Sequence, residues 1–99
     1  MKFIATAAIC LAALTNAHAA DPDVARNLAA TCANCHGTDG RAVPGAGMVP
    51  LAGESRDSLL KKMAEFKAGS RPATIMHQIA KGYTDEQLAL IAGYFAGRK

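Results

Sequence analysis

Thr31-Cys32-Ala33-Asn34-Cys35-His36-Gly37, TCANCHG over residues 31–37, sets two cysteines three positions apart with a histidine directly after the second. Residues three and four apart on a helix share a face, so Cys32 and Cys35 point the same way and His36, four beyond Cys32, lies close to that face. Two thiols and an imidazole are thereby gathered within one turn.

Several chemistries use such a cluster, and most fit poorly here. A disulfide between Cys32 and Cys35 closes so short a loop that it restrains the unfolded chain little. A thioredoxin-like redox pair needs a strand-helix setting, and no strand-like alternation surrounds this stretch. Zinc needs two further ligands, yet His77 is the only histidine after His36. Cys-x-x-Cys-His is the attachment signal of c-type haem. Two thioethers hold the porphyrin edge while the imidazole reaches the iron. No second such motif occurs, so one covalent haem c is expected.

The N-terminus supports this reading by placing the chain outside the cytoplasm. Met1-Lys2 is a short positive start, Phe3 to Leu14 is an apolar run, and Ala17-His18-Ala19 has the small-x-small pattern of a signal-peptidase site. The run is shorter than the ~18 apolar residues wanted for a span. Residues 1–19 are therefore expected to be a signal peptide cleaved near Ala19, taking Cys10 with it, and residues 20–99 a single periplasmic domain with no stable membrane insertion. Loss of Lys2 takes 11 basic residues to 10 against 8 acidic ones, a net +2. That balance does not describe a nucleic-acid surface. Chains of about 80 residues are marginal on their own core and commonly carry a cofactor.

The second axial position decides what the iron can do. A low-spin electron carrier needs a second protein ligand, whereas an open position makes a gas binder or haem enzyme. Met63 falls in a helical stripe with Leu59, Leu60 and Phe66 and reads as core. Met48 stands 12 residues after His36, inside a loop whose 17 residues from Gly37 to Gly53 hold five glycines and two prolines, and has little length to cross a macrocycle. Met76 stands 40 residues after His36, beyond an intervening helix and the breaker Gly69-Ser70-Arg71-Pro72. On a short helix from about Pro72 to Lys81, Met76, Ile79 and Ala80 share one side, and His77 falls on another, where it reads as a solvated surface histidine. Met76 is the expected distal ligand, and it disfavours the open-iron alternative.

The remaining chain reads as helices with short connections, an all-α pattern. Asp21-Pro22 opens the first helix, and Val24, Leu28 and Cys32 form its buried stripe. Ser55 or Ser58 starts the middle helix. Thr84-Asp85-Glu86-Gln87 forms a capping box ahead of Leu88, Ile91, Ala92 and Phe95. Because a ligating histidine usually gives its other ring N–H to a carbonyl, a backbone oxygen near Val49-Pro50 is the expected partner of His36.

The haem motif, the late methionine and the aromatic terminal helix together resemble class I cytochromes c. The segment FKAGSRPATIMHQIAKGYTDEQLALIAGYFA, residues 66–96, is similar to the haem subunits of flavocytochrome c sulfide dehydrogenases and to small cytochromes of the c553 kind. The resemblance implies three to four helices wrapped around one covalent haem, thioethers from Cys32 and Cys35, and His36 and Met76 on iron. It also implies a larger sulfide-oxidising flavoprotein as partner, the chain itself being an electron-transfer protein with no catalytic residues. Other redox proteins serve as electron acceptors, and a free soluble carrier feeding a terminal oxidase or reductase is the alternative. Phe66, Ile75, Ile79, Leu88 and Phe95 are expected to form an apolar shell, and Lys61, Lys62, Lys67, Arg71 and Lys81 are either a basic rim that steers an acidic partner or, the net charge being small, ordinary solvated charges.

Overall fold

The computed structural model describes residues 23–99. The signal peptide expected over residues 1–19 and the Asp21-Pro22 helix opening lie outside them. Helices α1 (Val24–Ala30) and α2 (Ala33–His36) lead into a 3-10 turn at Thr38–Gly40, and α3 (Arg56–Ala68), α4 (Met76–Lys81) and α5 (Asp85–Ala96) follow. No strand occurs among the described residues. The fold is all-α.

α1 and α2 are one helical path reset at Thr31-Cys32. The Thr31 hydroxyl donates to the Leu28 carbonyl at 3.0 Å, the acceptor that an undisturbed helix would offer to the Cys32 N–H. Cys32 instead donates to Ala29, at 3.0 Å. The expected single helix through Cys32 is thus broken, but the His36 N–H donates to the Cys32 carbonyl at 2.9 Å. Cys32 and His36 remain one turn apart.

Caps follow local chemistry. Ser55 caps α3 by accepting from the Ser58 N–H at 3.2 Å. The helix ends in a Schellman motif, where Ser70 donates to Glu65 at 2.9 Å and Gly69 to Phe66 at 3.1 Å, with Gly69 left-handed at φ 77°. Arg71 also donates its N–H to the Glu65 carbonyl at 3.3 Å. Pro72 therefore follows a helix cap instead of opening the next helix, and α4 begins at Met76, later than the expected Pro72. Thr84 and Gln87 form the reciprocal capping box of α5, at 2.9 and 3.1 Å.

α5 packs against both α1 and α3, and α4 lies on α3. The core is Ala29, Leu59, Leu88, Ile91, Ala92 and Phe95, with Leu28, Cys32, Leu51, Leu60, Met63, Tyr83 and Tyr94 packed around it. Ala29 and Ala92 are each 2% exposed, and their small side chains let α1 and α5 approach closely. Val24, expected in the buried stripe, is exposed, while Leu28 and Cys32 of that stripe pack on the core.

Candidate functional site

Gly40 builds the first side of the site. Its carbonyl accepts from the N–H groups of Leu51 and Ala52 at 2.8 and 3.0 Å, which fastens the base of the loop over residues 41–50. A Cβ at Gly40 would stand 2.8 Å from Phe95 Cδ1 and 2.9 Å from the Ala52 nitrogen. The closed loop swings back to α2 and brings the Val49 carbonyl to 2.7 Å from His36 Nδ1. A carbonyl can only accept, so Nδ1 carries the proton and the Nε2 lone pair is left for another partner. The expected carbonyl near Val49-Pro50 is that of Val49.

Cys32 is half-buried and Cys35 exposed, and neither is in a disulfide among the described residues. Among the described residues no three His, Cys, Asp or Glu side chains converge as a metal site made only of protein ligands would require.

The four candidate second ligands fall in different places. Met63 is packed on the core. Met48 is 39% exposed and directly precedes Val49, which sets its loop on the His36 side. Met76 is half-buried at the first position of α4. His77 is not the solvated residue expected: it is half-buried, and its Nδ1 is buried with no hydrogen-bond partner among the described residues. Ile75 and Ile79, expected within a closed shell, are 53% and 36% exposed. Phe66 is half-buried, and Leu88 and Phe95 are buried as expected.

No protein-family model matches the chain. It is 44% identical over 69 residues to the cytochrome subunit of sulfide dehydrogenase of Chlorobaculum tepidum, covering 69% of this chain and 60% of that one. It is 40% identical over 84 residues to cytochrome c4 of Pseudomonas aeruginosa, covering 84% and 41% respectively. With cytochrome c-554(548) of Halomonas halodenitrificans it shares 36% identity over 73 residues, 70% of this chain and 86% of the relative. The chain belongs to the class I c-type cytochromes. It spans 60% and 41% of the length of the first two relatives. As a c-type cytochrome it carries covalently attached haem c.

The cytochrome's residues fit that group. Two thiols stand at one helix start, an imidazole has its outer nitrogen already engaged, and Val43, Met48, Val49, Ile75 and Ile79 offer exposed apolar side chains in the segments after His36 and around Met76. The 3-10 turn after α2 and the end of α5 share a polar network not apparent from the sequence. Asp39, left-handed at φ 55°, accepts from the Tyr94 hydroxyl, and Arg98 stacks 4.3 Å over the Tyr94 ring. The Tyr94 hydroxyl holds the Asp39 carboxyl below the usual carboxylate range, and Asp39 in turn raises Tyr94.

The expected basic rim is largely neutralised within the cytochrome. Lys62 pairs with Glu54, Lys67 with Asp85 at 3.0 Å, Arg71 with Glu65 at 2.7 Å, and Lys61 lies 4.0 Å from Glu65. Only Lys81 of the five makes none of the described ion pairs. No helix among the described residues is long and apolar enough to cross a membrane.

Proposed function

We propose that this cytochrome carries single electrons in the periplasm as the haem subunit of a sulfide-oxidising flavoprotein, with Cys32 and Cys35 bonded to the haem and His36 and Met76 as its axial ligands. When bound, the haem iron supplies a one-electron change between ferric and ferrous states. The chain's own residues orient it and limit water. Val49 holds the His36 ring in one tautomer, which makes the imidazole a more basic ligand and fixes its plane. Met76 is favoured over the other methionines because Met63 belongs to the core and Met48 lies on the His36 side.

The observation that carries the reading is the 2.7 Å contact between His36 Nδ1 and the Val49 carbonyl, the arrangement expected of a ligating imidazole. The partner rests on the likeness to a cytochrome subunit of sulfide dehydrogenase, and the location on the signal-like pattern of residues 1–19. A second reading, a free carrier feeding a terminal oxidase or reductase, is favoured by the match to a relative of similar size, covered over 86% of its length. Rapid mixing with sulfide separates the two. Fast haem reduction only when the flavin-containing subunit is present supports the subunit reading, and equal rates with and without it support the free carrier.

A further inference from the structure

The distance between the segment ending in His36 and the segment beginning with Met76 must be fixed by something other than direct helix packing. α4 lies mainly on α3, while α2 lies against the 3-10 turn. Tyr83 stands where the two halves can be joined. It follows α4 by two residues, and its N–H donates to the Ala80 carbonyl at 3.3 Å. Its own carbonyl accepts from Lys67 Nζ of α3 at 2.8 Å, and that lysine is also held by Asp85 at 3.0 Å. The ring packs on the core. The hydroxyl meets Thr31 Oγ1 at 2.7 Å, across 52 positions of sequence.

The direction of that last bond follows from proton counting. Thr31 has one hydroxyl proton, and it is directed to the Leu28 carbonyl at 3.0 Å. Tyr83 is therefore the donor and Thr31 Oγ1 the acceptor. Thr31 immediately precedes Cys32, so a single tyrosine ties the end of the distal helix to α3 and to the segment that carries the cysteines.

We infer that Tyr83 and Thr31 are positioning residues for the distal ligand, their hydroxyl bond keeping the Met76 segment closed over the site. The inference rests on Met76 being that ligand. A tether of this kind lowers the population in which Met76 has swung away. Removing one ordinary hydrogen bond raises that population about fivefold, and an external ligand that binds only the open state gains apparent affinity by about the same factor.

The test is an imidazole titration of the ferric holocytochrome, followed by loss of its near-infrared sulfur-to-iron charge-transfer band. Tyr83→Phe and Thr31→Val should each bind imidazole about fivefold more tightly. The double variant should bind no more tightly than Thr31→Val alone, because the bond that Tyr83→Phe removes is already absent there. Thr31→Ser, which keeps the hydroxyl, should restore the original affinity. Variants that lose thermal stability but leave imidazole affinity unchanged overturn the positioning role, since a structural contact alone has that signature. Met76→Ala separates the two levels. If it abolishes the band, the ligand assignment stands and the positioning role is judged by the titrations; if the band persists, the ligand assignment fails and the positioning role falls with it.

Discussion

Gly40→Ala tests how the loop that presents Val49 is held. Gly40 has φ +75°, and an added Cβ would meet Phe95 Cδ1 at 2.8 Å, the Ala52 nitrogen at 2.9 Å and Leu51 Cβ at 2.9 Å. A left-handed conformation costs an L-residue about 1–2 kcal/mol, and forcing extra volume into a packed site costs about 1–3 kcal/mol more. Together these predict a loss of roughly 2–5 kcal/mol. At about 4–8 °C per kcal/mol for a domain of this size, a central loss of ~3 kcal/mol lowers Tm by roughly 12–24 °C. Gly45→Ala is the matched control, since Gly45 has φ +81° with no protein atom within 4 Å of an added Cβ; within the chain's own packing it should lose only the conformational part, about 1–2 kcal/mol. Thermal unfolding of the holocytochrome by circular dichroism gives both numbers. If Gly40→Ala is no worse than Gly45→Ala, Phe95 and Leu51 yield freely and the close approach does not hold the loop.

Three further outcomes are expected. Acid-acetone extraction should leave the haem on the wild-type chain, and Cys32→Ala should cripple its attachment, as judged by mass. Met76→Ala should remove the near-infrared charge-transfer band and admit carbon monoxide to the reduced iron, whereas Met48→Ala, Met63→Leu and His77→Ala should keep the band. For Tyr94→Phe the sign follows from Asp39, whose carboxyl the Tyr94 hydroxyl holds low. Such a group stabilises the fold above its unfolded pKa and loses that contribution as pH falls through its folded value. The Tm deficit of Tyr94→Phe should accordingly be present at neutral pH and close on acidification through the carboxylate range.

Features set by neighbouring residues were legible from sequence. The α3 cap, narrowed by sequence to Ser55 or Ser58, the Gly69 stop and the Thr84–Gln87 box all follow from side chains within a few positions of the groups they satisfy, and the sequence points to the His36 carbonyl to within one residue. The break at Thr31 was not anticipated, because the stripe of Val24, Leu28 and Cys32 suggests an unbroken helix and hides the hydroxyl that competes with the backbone. The Thr31–Tyr83 and Asp39–Tyr94 bonds span 52 and 55 positions, and no local pattern marks either end. The basic rim failed for a related reason. Counting lysines and arginines does not show that Glu54, Glu65 and Asp85 face them, and such exposed pairs add little stability while removing charge from a docking face.

The closure at Gly40 also separates the two ends of the 41–50 loop from its middle. An added Cβ at Gly45 or Gly47 would meet no protein atom within 4 Å, and the turn there is a single bond from Ala46 to the Val43 carbonyl at 3.1 Å. The entropy of closing a loop grows only logarithmically with its length, about 0.6 kcal/mol for each doubling. Insertions between Val43 and Gly47 should therefore be tolerated while Val49 stays in register with His36. The span is a natural graft site, where a recognition peptide or spectroscopic label can be carried close to the redox centre without rebuilding it.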